Sequence, residues 1–251
     1  MKKYFRILIG LVAILVVLLM GLFPPWREPS VRTVLKSVFK KKGSGQSSFK
    51  VPETSFPISD RKTNISKYSA LLDRVKRFDR TVDFKELRYA YTETPEYKPY
   101  DKGKKVKELI LRDLEQKQYQ QALKQALSRL EKNYVDIVAH LVCRRSYQNL
   151  NDSKKAEFHE YVELGLIDSI LKSGDGLRPE TAFKVITVDE EYILLGFLGL
   201  KCEGQALLKI EGHAYDRLEV KHGRTGRKKV LFFNVDIPMK WIRKTLQKET
   251  K

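Results

Sequence analysis

A chain of 251 residues, 42% of them hydrophobic, is long enough for one good core and too short for several large domains. Its formal charge of +18 suggests nucleic acid at first sight, but residues 1–50 hold ten Lys or Arg and one Glu, a net of +9, so the rest of the chain shares the other +9. Basic residues crowded beside an apolar segment point first to anionic lipid headgroups, at about 1 kcal/mol each, and make nucleic acid the lesser partner. Two cysteines, Cys143 and Cys202, give no disulfide framework, and no Cys/His cluster has zinc-site spacing, so neither metal nor cofactor is expected.

Lys2, Lys3 and Arg6 precede an uncharged run that begins at Ile7 and ends at Phe23. Lengthened by Tyr4 and Phe5, it approaches the lower limit for a bilayer span. Leu22, Phe23, Pro24 and Pro25 stand where a cleavage site needs small residues, so residues 1–26 are expected to be one uncleaved transmembrane anchor, with Trp26 at the interface. The basic N-terminus favours an inside start, which puts the bulk of the chain on the periplasmic side of a bacterial inner membrane. The other flank is basic as well and competes with that orientation. Residues 27–63 form an amphipathic segment and linker. Val31, Val34, Leu35, Val38 and Phe39 make a helical stripe, Arg32, Lys36, Lys40, Lys41 and Lys42 are placed to meet anionic lipid, and the run GSGQSS with Pro52 and Pro57 supplies reach. Packing of this helix on its own domain is the competing use of the stripe.

Residues 64–251 are expected to be a single α+β domain, helical over 64–172, strand-rich over 177–238 and closed by a short helix over 239–248. Tyr68, Leu71, Leu72, Val75 and Phe78 form a helical stripe. The segment FKELRYAYTETPEYKPY then starts as a helix that ends before Thr94-Pro95, because a residue preceding proline avoids the α region. Its tyrosines, among them Tyr89, Tyr91, Tyr97 and Tyr100, line either the core or a partner-binding surface. Tyr119, Ala122, Leu123, Ala126, Leu127 and Leu130 keep the i, i+3, i+4, i+7 rhythm of a one-faced helix. Short links at Lys132-Asn133 and Asn151-Asp152-Ser153 make this helix and the next two antiparallel hairpins. They resemble tetratricopeptide repeats, with Ala122 and Ala156 one 34-residue period apart, but only about two degenerate units are present. Beyond them, 181–188, 192–200, 206–210, 215–220 and 229–237 read as strands of an antiparallel sheet, with HGRTGR as a hairpin turn. Met239, Trp241, Ile242 and Leu246 mark an amphipathic closing helix that seals the sheet or touches lipid.

Four linked segments, LRYAYTETPEYKPY, the DIVAH helix, SGDGLRPETAF with the EEY after it, and FFNVDIP, resemble a bacterial domain of unknown function, number 4919 in that series. The resemblance spans roughly residues 83–241. It implies an exported or envelope-associated protein and brings no activity with it.

The best candidate ligand site is the loop of Ser173, Gly174, Asp175 and Gly176 with Arg178 and Glu180. Its glycines free backbone N–H groups for an anion, and its acids suit a cation. It lacks Walker order and the full calcium-loop spacing, a helix C-terminus repels anions, and a structural turn with Gly174 as left-handed cap is the ordinary alternative. Asp136, His140 and Cys143 share a helical face at i, i+4, i+7, which is read as a histidine steadied by its aspartate rather than a metal pair or activated thiol. His159 with Glu163 is read the same way. His213 and His222 have no partner of recognisable spacing. Arg224, Arg227 and Lys228 make the hairpin tip basic without the interleaved aromatics of a single-strand platform. No catalytic motif or catalytic residue emerges. The expectation is a non-catalytic protein-binding or scaffolding module of the envelope. A hydrolase or ligand-binding enzyme using Asp175, Glu180 and His140 is the alternative, and polyanion or anionic-lipid binding the third.

Overall fold

A computed structural model describes residues 61–100 and 104–249. The anchor expected at Ile7 to Phe23 and the amphipathic segment expected after it lie outside the described residues. Within them, no helix is long and apolar enough to cross a membrane.

The helical half opens with α1 (Arg61–Lys76) and α2 (Phe84–Tyr91), followed by α3 (Lys104–Glu115), α4 (Tyr119–Lys132), α5 (Ile137–Asn149) and α6 (Ser153–Leu171). Short acidic side chains start three of these helices by accepting from orphan backbone N–H groups: Asp83 for α2, Asp136 for α5 and Asp152 for α6. α2 stops at Tyr91, ahead of Thr94-Pro95 as its sequence predicts. α4 buries Ala122, Ala126 and Leu130, and small residues there let it lie close to its neighbours. The links over 133–136 and 150–152 are short, so α4, α5 and α6 run as successive antiparallel neighbours.

The second half is β1 (Phe183–Lys184), α7 (Val188–Phe197), β2 (Leu200–Ile210), β3 (His213–His222), β4 (Lys228–Asn234) and α8 (Asp236–Glu249). The described residues thus form an α+β structure of eight helices and a four-stranded sheet of order β1-β4-β3-β2. The sheet is mixed rather than antiparallel, since β1 pairs parallel with β4. The cause is α7. Residues 192–200 carry the apolar run expected as a strand, yet Thr187 caps a helix there and Asp189, Glu190 and Glu191 fill its first turn. A helical crossover returns the chain in its original direction, so β2 and β4 run with β1 and only β3 opposes them. The run misleads because α7 is buried all round, and a helix without a polar face shows no 3.6 period.

β2 and β3 are joined at Glu211 and Gly212, both at positive φ (50° and 85°), the backbone of a two-residue hairpin turn. The turn in HGRTGR joins β3 to β4, with His222 Nδ1 accepting from the backbone N–H groups of Arg224 and Thr225. One hydrophobic cluster runs through both halves, from Leu87, Leu166 and Ile170 to Phe183, Leu194, Leu218 and Phe233.

Candidate functional site

The SGDG loop turns its polar groups inward. Ser173 Oγ donates to the Ile170 carbonyl (2.6 Å) and accepts from Lys184 N–H (2.8 Å). Asp175 Oδ1 accepts from Leu177 N–H (2.9 Å) and Thr181 Oγ1 (2.5 Å), while Asp175 and Gly176 N–H both donate to the Thr181 carbonyl. The Gly176 carbonyl accepts from Phe232 N–H (2.8 Å). These bonds staple the end of α6 to β1 and β4. Gly174 is not the left-handed cap: Gly176 takes the positive φ (69°), and a Cβ on Gly174 would run into the Thr181 carbonyl. Arg178 and Glu180 stand outside this network, exposed and 4.0 Å apart.

The tyrosine-rich segment divides. Tyr91 and Tyr97 are buried, and Tyr91 lies along the cleft described below. Tyr97 donates to the Ile186 carbonyl (2.5 Å) and packs edge-on against Tyr91, which also meets Tyr68. Tyr100 is half-buried, its hydroxyl 3.7 Å from Met239 Sδ on α8, and burial raises its pKa. Tyr89 is half-buried under Lys85.

Asp136 and His140 are also regrouped. The Asp136 carboxylate accepts from Arg129 (2.6 and 3.0 Å) and from Ala139 N–H, while both ring nitrogens of His140 meet other partners. His140 Nε2 lies 2.9 Å from the Tyr134 carbonyl, which can only accept, so this nitrogen carries the hydrogen. His140 Nδ1 is then the acceptor for His159 Nδ1–H, 3.0 Å away on α6. Burial pushes His140 down to about 4 and, with His140 beside it, His159 down to about 3. Glu163 bonds Arg144, not His159. Cys143 and Cys202 are separate free thiols, raised by burial to about 12 and about 11, the reverse of an activated nucleophile. His213 finds the partner its spacing hides, Asp236, at 2.6 Å across the end of the sheet. Asp175, Glu180 and His140 belong to separate networks and form no common constellation.

A cleft of about 630 Å³ lies where the tyrosine-rich segment, α4 and the start of α7 meet. Gln121, Lys124, Gln125 and Arg129 line it from α4, Glu96 and Lys98 from the segment after α2, and Asp189 and Glu190 from α7. Its wall is held by two buried ion pairs. One is Arg129–Asp136. In the other, Arg88 is fully buried, grips both oxygens of Glu190 (3.0 and 2.5 Å) and also donates to Ser169 Oγ and the Lys184 carbonyl. Gln125 donates to Asp113 (2.8 Å), but its buried Oε1 has no hydrogen-bond partner among the described residues. An acceptor left this way costs about 1–3 kcal/mol. Sequence reasoning passed over the cleft because α4 reads as a surface helix and the facing wall comes from separate stretches, the tyrosine-rich segment before α3 and the start of α7. The glutamates of α7 were the available signal, two adjacent acids heading an apolar run.

The whole is an α+β domain whose polar cleft spans its helical half and the start of the crossover helix. The chain belongs to the family described as a domain of unknown function (DUF4919), which matches residues 55–244. No curated protein and no solved structure matches it.

Proposed function

We propose that this chain is a membrane-anchored bacterial envelope protein acting as a non-catalytic protein-binding or scaffolding module, and that the cleft is its docking surface. The observation that carries this is the mixed-charge cleft of about 630 Å³ at the junction of the helical hairpins and the tyrosine-rich segment. A polypeptide suits it, with side chains of either sign for a rim that holds Glu96 and Asp189 as well as Lys98 and Lys124. The anchor at Ile7 to Phe23 holds the module at the inner membrane with its bulk in the periplasm, and Arg32, Lys36 and Lys40 to Lys42 meet anionic lipid. The hydrolase alternative has less support, because Asp175 spends its hydrogen bonds on its own loop.

The test is in-cell photo-crosslinking from Gln121 or Ser128, both exposed at the cleft, against a control on β2 at Lys209. Discrete protein adducts from the cleft positions alone are expected. Adducts only with lipid, or equal patterns from all three positions, reject the cleft as a docking surface. A C-terminal reporter active only in the periplasm, paired with one fluorescent only in the cytoplasm, tests the orientation.

A further inference from the structure

Glu191, the neighbour of Glu190 on α7, faces the sheet. It is fully buried, and among the described residues neither carboxyl oxygen meets an N–H or hydroxyl donor. The side chain it does meet is Asp216 of β3, only 5% exposed, whose Oδ1 also lacks a conventional donor. Asp216 Oδ2 is held by Gln205 Nε2 (2.8 Å), and Tyr192 donates to Gln205 Oε1 (2.5 Å), so the Gln205 amide is fixed with its N–H toward the acid. Among the described residues, the other ionisable groups coupled to the pair are Tyr100 from the segment after α2, Glu190 and Tyr192 from α7 and Cys202 from β2, with no lysine, arginine or histidine among them. Two carboxylates cannot both stay charged in such a place, but one carboxylic acid donating to one carboxylate satisfies both.

We propose that Glu191 and Asp216 share one proton, and that this proton is an acid-set latch that clamps α7 onto the sheet and lets go as the pH rises. Burial and the charge of Asp216 hold Glu191 well above the carboxylate range, and burial lifts Asp216 to about 6. The latch strengthens the fold most at or below the ordinary carboxylate pKa. Its contribution falls as the pH climbs through the folded values, because the unfolded chain gives up these protons first. Glu190 and Glu191 sit side by side, so releasing the latch also loosens the α7 wall of the cleft.

The experiment uses the full chain in mild detergent. Infrared spectra should show a protonated carboxylic C=O band that persists at about pH 7 and is lost in Glu191→Gln. Thermal unfolding of the wild type should fall by several degrees between about pH 6 and pH 9. Glu191→Gln, whose amide donates to Asp216 without a titrating proton, should flatten that slope. Should that variant fail to fold, Asp216→Asn serves, donating in the opposite direction. A wild type without the acid band at about pH 7, or an alkaline slope unchanged in a folded variant, overturns the proposal. Neither readout depends on whether the cleft binds protein.

Discussion

Glu190 and Glu191 are adjacent glutamates and both are buried, yet the two faces of α7 treat them in opposite ways. On the helical side Glu190 receives a guanidinium through two bonds and the Ile186 N–H through a third (2.8 Å), so its charge is matched. On the sheet side Glu191 receives, among the described residues, nothing but another acid. Burial alone therefore does not set the fate of a carboxyl; the donors brought by its neighbours do. One face works as a permanent clasp, the other as a titratable one.

The largest expected effect breaks the permanent clasp. Arg88→Ala strands Glu190 and frees Ser169 Oγ and the Lys184 carbonyl, and should destabilise the fold by about 3–5 kcal/mol in urea unfolding. Pairing Arg88→Leu with Glu190→Leu should restore much of that loss, since no charge is left without a partner. A double variant no better than the single one would mean that Arg88 matters for its packing rather than its charge.

Next in size is the acid limb, which belongs to the helical half. His140 and His159 fold neutral, with pKa values lowered from 6.5 to about 4 and about 3, whereas the unfolded chain takes up protons below about 6.5. Stability should then fall as the pH drops from about 6.5 towards 4, by on the order of 2–3 kcal/mol from His140 alone. The sign is opposite to that of the Glu191–Asp216 pair, which penalises rising pH. His140→Gln should flatten the acid limb and leave the alkaline limb as it is. If both limbs moved together, the two buried pairs would not be independent.

How far the sequence shows these features depends on range. Helices with one polar face, such as α4, and caps at Asp83, Asp136 and Asp152 are local and readable in the chain. The α+β class and the hairpin in HGRTGR follow from the same short-range signals. α7 was hidden because complete burial removed its periodicity, and with it went the parallel pairing of β1 with β4. The candidate cleft was less legible still. Arg88 and Glu190 are 102 positions apart, and Arg129 binds Asp136 while His140, four residues further on, turns to a histidine on another helix. Nothing in i, i+4 spacing says which neighbour a polar side chain will choose.

A smaller effect probes the tyrosine-rich segment beside the clasp. Tyr97→Phe keeps the ring packed but removes the hydrogen bond to the Ile186 carbonyl, one residue from the cap of α7. A loss of about 1 kcal/mol is expected, with faster amide exchange at the start of α7. Unchanged exchange there would show that the Arg88–Glu190 clasp positions the helix without the tyrosine.

The smallest effect of all, at Glu180, lies in the SGDG loop, where an inward acid, Asp175, and an outward one stand five residues apart. Asp175 holds Leu177 N–H and Thr181 Oγ1, and Asp175→Ala should cost about 1–2 kcal/mol because these donors lose their acceptor. Glu180 faces solvent with Arg178 4.0 Å away, and Glu180→Ala should change stability by less than about 0.5 kcal/mol. The contrast separates the two uses of the loop. A ligand site needs Asp175 for binding more than for folding, so its variant should stay folded and lose a ligand-dependent rise in melting temperature across a panel of metals and metabolites. A turn that staples α6 to the sheet gives the other pattern, in which Asp175→Ala lowers the melting temperature in every buffer, Glu180→Ala lowers it in none, and no ligand separates the two variants.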